Sequence, residues 1–231
     1  MELSIEAASD DVGVALSVDG VVVRLATWET HQNHSVELLP NVDRLLSEAG
    51  RDKSDIAAVF VDIGPGGYAG LRVGVSVAKA LAHALGVPLA GVGRLELDAL
   101  AAATEAGARR IVAVHRAGRG EVAWAAYRGH DGAWSEELSP RISKPAELHA
   151  AIVRDDAVTG DIDDDMAAAI GRGGAIAVSA HEHRVVTLAR AGHARLVAGR
   201  LDDAMALVPL YLRAPAIGPA PTSSSQQGHA R

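Results

Sequence analysis

Apolar and polar positions alternate along the first thirty residues. Leu3 to Ala7, Val12 to Val18 and Val21 to Ala26 read as strands, with turns at Asp10-Asp11 and Asp19-Gly20. An Asp-Gly pair between two such runs is a hairpin signal, so the three strands predict an antiparallel meander. The period then changes. Leu38, Leu39, Val42, Leu45, Leu46 and Ala49 share one helical face, and Glu37, Asn41, Arg44 and Glu48 line the other. Asn33 or Ser35 is placed to cap this helix at its start and Gly50 at its end. Pro40 falls early in the pattern and predicts a late start or a kink.

Ile56 to Ile63 is a near-continuous apolar run, the signature of a buried strand. A glycine-rich turn, Gly64 to Gly70, follows, and a helix is predicted from Leu71 to Leu85. Its polar residues Arg72, Ser76, Lys79 and His83 form one narrow stripe, and the rest of its circumference is apolar. A helix lying on one sheet needs an apolar stripe of only about 100°. This helix is therefore either sandwiched inside the domain or offers a second apolar face to a partner. Pro88 to Val92 reads as a strand and Glu96 to Glu105 as a helix. The strand pattern then restarts at Arg110 to His115 and Val122 to Tyr127, joined by Gly118-Arg119-Gly120. Helices over 144–153 and 185–201, a short strand over 157–160 and a last strand over 208–212 complete the reading. The acidic run Asp161 to Asp165 reads as a solvated loop or a helix cap. The outline is two α/β lobes, residues 1–106 and 107–214, followed by a Pro-, Ser- and Gln-rich tail, 215–231, read as disordered.

Composition narrows the chemistry. The 231 residues include no Cys, which excludes disulfides, Cys-ligated metal and a Cys nucleophile. The formal charge of −7 and only seven aromatic residues (3 Trp, 3 Tyr, 1 Phe) argue against a stand-alone nucleic-acid binder. Met1-Glu2-Leu3-Ser4 lacks the basic-then-apolar form of a signal peptide. The longest apolar stretch, Ala80 to Gly93, is shorter than a membrane span and holds His83 and Pro88. The expectation is a soluble, cytoplasmic protein.

Five segments, in order, carry a resemblance. Gly64-Pro65-Gly66-Gly67-Tyr68-Ala69-Gly70-Leu71-Arg72-Val73-Gly74 is similar to a GPGS(F/Y)TGLR(I/V)G motif. His34 to Pro40 fits H-S-x-x-L-L-P, and Pro88 to Leu95 fits P-(I/L)-x-G-V-(S/G)-x-L. Arg119 to Val122 resembles R-x-G-E-V-Y with the residue between Arg and Gly missing, and Pro209 to Arg213 fits P-x-Y-L-R. By these motifs the chain resembles the TsaB (YeaZ) family. The resemblance implies the two-lobed fold of the actin, sugar kinase and Hsp70 superfamily (ASKHA, RNase H-like). It implies a part in placing threonylcarbamoyl on N6 of adenosine 37 of tRNA (t6A). In that machinery TsaC makes threonylcarbamoyl-adenylate, TsaD transfers the group and TsaE is an ATPase.

The implied role is that of a non-catalytic scaffold, a heterodimer with TsaD that helps recruit TsaE. It meets tRNA only through the complex, touches no membrane and forms a homodimer when alone. Catalytic residues and metal ligands are expected to be none. No cofactor is expected, although ATP or ADP at a complex interface is compatible with the family. The partner surface is expected on two helices, at His34, Leu38, Leu39, Val42, Leu45 and Leu46 on the first. On the second it is expected at Val73, Gly74, Val77, Ala80, Leu81 and Ala84. The competing reading is an independent ASKHA-type enzyme that binds nucleotide near Glu6, Gly64, Gly66, Gly67 and Arg119.

Residue chemistry separates the two readings. A glycine turn opening a helix can hold phosphate on its free N–H groups, but neither Gly-Lys-Ser/Thr nor GxGxxG is present. The alternative is a tight turn that brings helix and strand close. Gly67 and Ala69 stand where the family has hydroxyls, and Ile5-Glu6-Ala7-Ala8 replaces its I-D-T-(S/T). Both departures remove polar groups that phosphate chemistry uses. His31 and His34 lack a third ligand, and a catalytic zinc needs three. His181-Glu182-His183 is not H-E-x-x-H and reads as a solvated loop. No G-x-S-x-G elbow presents a serine nucleophile.

Overall fold

The computed structural model describes residues 1–31, 33–107, 109–130, 133–179 and 182–213. The expected tail, 215–231, lies outside the described residues. Ten strands form two five-stranded sheets. The first is built from β1 (Glu2–Glu6), β2 (Asp11–Val18), β3 (Val21–Glu29), β4 (Ala58–Asp62) and β5 (Leu89–Val92), in the order β3-β2-β1-β4-β5. The second has β6 (Ile111–Gly118), β7 (Glu121–His130), β8 (Ala133–Ser143), β9 (Ala157–Gly160) and β10 (Ile176–Ala177), in the order β10-β9-β6-β7-β8. In chain order these are one topology used twice. Each sheet begins with an antiparallel meander, and its last two strands join parallel.

The helices repeat the scheme. The first set is α1 (His34–Glu48), α2 (Tyr68–Leu85) and α3 (Arg94–Ala106); the second is α4 (Pro145–Ala151), α5 (Asp164–Arg172) and α6 (Arg184–Val197). The last helix of each set crosses over. α3 packs on β6, β7 and β9 of the second sheet, and α6 packs on β1, β2, β4 and β5 of the first. A division in sequence order at 106/107 is therefore crossed by α6. Alternation along β4 feeds both sides of its sheet. Val59 and Val61 join Leu38, Val42, Leu45, Val75 and Ala78 under α1 and α2, while Ala58 and Phe60 meet Leu188 of α6 and Leu97 of α3. Gly192 lies flat on the Phe60 ring, where an added Cβ would fall 2.2 Å from Cγ.

Several local expectations need correction. α1 begins at His34 and carries Pro40 inside it rather than starting late. Pro40 removes the donor to the Val36 carbonyl, and Val36 is 67% exposed, so water replaces the lost bond at small cost. Asn33 is the N-cap residue but makes no side-chain cap bond. At the other end Gly50, at φ +64, closes a Schellman arrangement, with Gly50 N donating to Ser47 O and Arg51 N to Leu46 O. α2 begins at Tyr68, so Gly70 is helical and not part of the turn. Residues 208–212 form no strand. β8, α5 and β10 were not predicted. β8 carries Pro140 and is an edge strand, where a missing N–H is tolerated. Asp163 of the acidic run caps α5, accepting from Met166 N at 2.9 Å.

Candidate functional site

The glycine turn is shaped by what it touches. An added Cβ on Gly66 would sit 2.1 Å from Ala8 O, and one on Gly70 2.2 Å from Ala7 O and 2.7 Å from His34 Nε2. Gly67 N donates to Ala8 O at 2.8 Å, and Gly64 N donates to Asp62 Oδ1 at 2.7 Å. Gly64 itself holds φ +96, a conformation that favours glycine. The glycines thus serve the close approach of α2 to the β1–β2 turn, and two of their N–H groups are already engaged.

Behind the turn lies a buried acid pair. Parallel pairing of β1 with β4 sets Ile5 against Val61, so Glu6 and Asp62 follow as neighbours at the strand ends. Both are essentially inaccessible. Each uses one oxygen to hold a turn, Glu6 Oε1 accepting from Ala8 N at 3.0 Å and Asp62 Oδ1 from Gly64 N. The other oxygen of each has no hydrogen-bond partner. Desolvation, then the Asp62 charge, pushes Glu6 up to about 8. Desolvation also pushes Asp62 up to about 6, against the Gly64 hydrogen bond and the charges of Arg94 and Arg184. Burial thus favours the protonated form of Glu6, which sits under the turn and does not line the cleft wall.

From this pair a charged network crosses between the lobes. Arg184 Nε of α6 pairs with Asp98 Oδ1 of α3 at 2.5 Å, and Arg94 Nε approaches Asp98 Oδ2 at 3.8 Å. Arg94 also faces Asp161 at 3.9 Å, and Asp161 bonds His115 Nδ1 at 2.7 Å and Arg116 N at 3.0 Å. Burial raises the Asp161 carboxyl, but the hydrogen bonds from His115 and Arg116 N–H and the Arg94 charge outweigh it, so it lies well below the usual carboxylate range.

The cleft between the glycine turn and the β6–β7 hairpin encloses about 570 Å³. Of the residues proposed near a nucleotide, Gly66, Gly67 and Arg119, the last at φ +56, line this cleft, and Gly64 and Glu6 do not. His115, Arg116, Tyr68, Tyr211 and Arg213 also line it. Tyr211 and Arg213 belong to the P-x-Y-L-R motif, so their signal was in the sequence, although a strand was assigned there. Tyr68 packs on Tyr211 with ring centroids 5.3 Å apart, and Arg72 lies 5.4 Å over the Tyr68 ring. The cleft wall is cationic and aromatic.

The predicted partner surface divides. Leu38, Val42, Leu45, Leu46 and Gly74 are buried within this chain, because the apolar face of α1 and the inner face of α2 are spent on the first sheet. His34 is buried too, its Nε2 3.1 Å from Ser9 O. These residues offer no surface. Leu39, Ala80 and Ala84 are exposed, and Val73, Val77 and Leu81 are half-buried. Val73, Val77 and Leu81 pack in part on the core, so the outer flank of α2 is apolar and partly accessible. The sandwiched alternative for this helix does not hold. Among the described residues no group of three or more His, Asp and Glu side chains is arranged to hold a metal. His183 caps α6 through Nδ1 and Glu182 pairs with Arg190, while His181 lies outside the described residues. No helix is long and apolar enough to cross a membrane among the described residues.

Comparison with known proteins gives consistent matches. The family model for tRNA N6-adenosine threonylcarbamoyltransferase (TsaD) matches residues 19–159. The tRNA threonylcarbamoyladenosine biosynthesis protein TsaB of Escherichia coli (strain K12) is 36% identical over 149 residues. That match covers 64% of this chain and 64% of that protein's length. A crystal structure of an uncharacterized protein with similarity to peptidase YeaZ from Pseudomonas aeruginosa superposes with a TM-score of 0.75 at 28% identity. It covers 92% of this chain and 100% of that one. A Porphyromonas gingivalis protein described as an N-acetylglucosamine kinase superposes at 0.51 with 11% identity, over 85% of this chain and 100% of that one. The last likeness bears on the fold alone, and with the YeaZ match it gives the two-lobed ASKHA architecture.

Proposed function

The chain belongs to the tRNA N6-adenosine threonylcarbamoyltransferase family, on the side of its TsaB (YeaZ) members, and from that premise we propose that it is a non-catalytic scaffold in threonylcarbamoyladenosine synthesis. The observation that carries this reading is the apolar outer flank of α2, where Ala80 and Ala84 are exposed and Val73, Val77 and Leu81, packed in part on the core, remain partly accessible. Small residues at 80 and 84 let a partner helix come close, and Leu39 of α1 extends the patch. The partner is a TsaD-type paralogue. Recruitment of TsaE, contact with tRNA through the complex and self-pairing when the partner is absent belong to the same reading. The buried Glu6, whose protonated form is favoured, supports the absence of phosphoryl chemistry in this chain.

The test is the solution mass of the chain alone and mixed with the TsaD protein of its own organism, by size exclusion with light scattering. A 1:1 complex is expected, and Ala84→Glu, at an exposed site, abolishes it without changing the unfolding temperature. Unchanged pairing by that variant and by Val77→Glu refutes this face as the interface. The cationic, aromatic cleft supports the second reading, an independent nucleotide-binding enzyme. That reading requires saturable ADP or ATP binding by the isolated chain, reduced by Arg119→Ala. Titration without heat or fluorescence change removes it.

A further inference from the structure

The segment after α6 runs back across the molecule. Asp202 N donates to Leu89 O at 2.8 Å and its carboxylate accepts from Gly91 N at 2.7 Å, which roots the segment on β5. Lys79 Nζ reaches Leu207 O at 2.7 Å. Leu210 N donates to Ile63 O at 2.7 Å, immediately before the glycine turn. Tyr211 then packs on Tyr68. All of these partners lie in the first lobe. Arg213 alone leaves it and pairs with Glu121, at the start of β7 in the second lobe.

We propose that residues 202–213 form a strap that clasps the two lobes at the mouth of the interlobe cleft, with the Arg213–Glu121 pair as its releasable end. Leu210 to Arg213 form part of the cleft wall, so the strap also sets its width. The release point follows from charge. Arg213 sits in a wall that already holds Arg116 and Arg119, and Glu121 is the acid that offsets it. Lys144 competes for the same carboxylate at 3.6 Å. The root is held by Asp202 N–H to Leu89 O and by Gly91 N–H to the Asp202 carboxylate, whereas the tip's hold on the second lobe is the Arg213–Glu121 charge pair. The lobes are also joined by α3 and α6, which pack together. Opening at the strap is therefore a hinge at the cleft mouth, with the centre of the molecule kept closed.

The test uses the absence of native Cys, which permits clean pairwise spin labelling. Labels at Ser47→Cys on α1 and Ala150→Cys on α4, both exposed, report the distance between lobes. NMR amide exchange of Leu210 reports the strap tip, and that of Asp202 reports its root. Arg213→Ala is expected to speed Leu210 exchange about tenfold, the scale of one charge-assisted bond, and to leave Asp202 unchanged. It lengthens or broadens the interlobe distance distribution. Glu121→Gln does the same, and Arg213→Lys retains most of the wild-type protection. Leu210 exchange at the wild-type rate in both Arg213→Ala and Glu121→Gln overturns the proposal. So does faster Leu210 exchange with an unchanged interlobe distance, since the strap then lies in the cleft without clasping the lobes.

Discussion

Glu6 places an ionisable group where water does not reach, and this makes stability depend on pH in a defined direction. Its carboxyl rises from the ordinary 4.5 to about 8 in the folded chain. Between these values the native state holds a proton that the unfolded state has lost. Stability therefore falls as pH rises through that window. Below pH 4.5 both states are protonated and no cost appears; above pH 8 the full cost is present. The difference, converted at about 1.4 kcal/mol per unit, sets a scale of about 5 kcal/mol. Asp62, raised from 3.8 to about 6, adds a fall in the same direction at lower pH. Glu6→Gln keeps the oxygen that accepts from Ala8 N and removes the ionisation. The assay is urea unfolding of both proteins at intervals from pH 5 to 9, followed by circular dichroism. The expected result is a stability difference that swings toward the Gln variant by several kcal/mol across this range. Parallel profiles, with the difference constant to within about 0.5 kcal/mol, would refute a neutral buried Glu6.

Three further outcomes follow from packing and charge. Gly192→Ala drives a methyl into the Phe60 ring and should destabilise the chain by about 1–3 kcal/mol despite alanine's better helix propensity, read by denaturant midpoint. Asp161→Asn weakens bonds to both His115 and Arg116 N–H and should cost about 1–3 kcal/mol at pH 7. Because the Asp161 carboxyl is depressed, that contribution is present above the ordinary carboxylate pKa and is lost as pH falls, so the variant and wild type should converge in acid. Gly70→Ala meets the Ala7 carbonyl and His34 and should shift the first lobe's melting while leaving the fold of the second intact, resolved by amide exchange in β1 against β6.

All three strands of the first meander and the first two of the second were legible because period-2 runs ended at Asp-Gly and Gly-Arg-Gly turns, and α1 was legible from its spacing. The limits have physical causes. Pro40 was weighed by its missing donor, yet the carbonyl it strands lies on an exposed part of α1 where water replaces the bond. The acidic run was read as a solvated loop or a helix cap, and the cap alternative holds at Asp163, but the helix it caps, α5, was not read from the residues that follow. The predicted partner residues mixed two faces, since an apolar heptad pattern reports burial without saying against what. Leu38 and Val42 face the chain's own sheet; Ala80 and Ala84 face outward. At the cleft, the glycine motif and Arg119 were visible in sequence, but the tip at Tyr211 and Arg213 was given a strand it does not form. The buried state of Glu6 was beyond sequence reading, because it depends on Asp62 in the next parallel strand.

The duplicated topology explains why the charged network lies where it does. Each lobe ends in a helix that packs on the other lobe's sheet, so α3 and α6 meet in the middle with their starts near the strand ends. Arg94 is the first residue of α3 and Arg184 the first of α6. The exchange brings both arginines to Asp98, and Arg94 to Asp161 beyond β9. These cations are consumed by internal carboxylates. Burial raises both carboxyls beside these arginines, Glu6 further than Asp62. The cations that line the cleft wall are on the hairpin and the strap, Arg116, Arg119 and Arg213, with Arg116 paired to Asp163 and Arg213 to Glu121. Any anion this chain binds should therefore respond to substitution at those three arginines and be indifferent to Glu6→Gln.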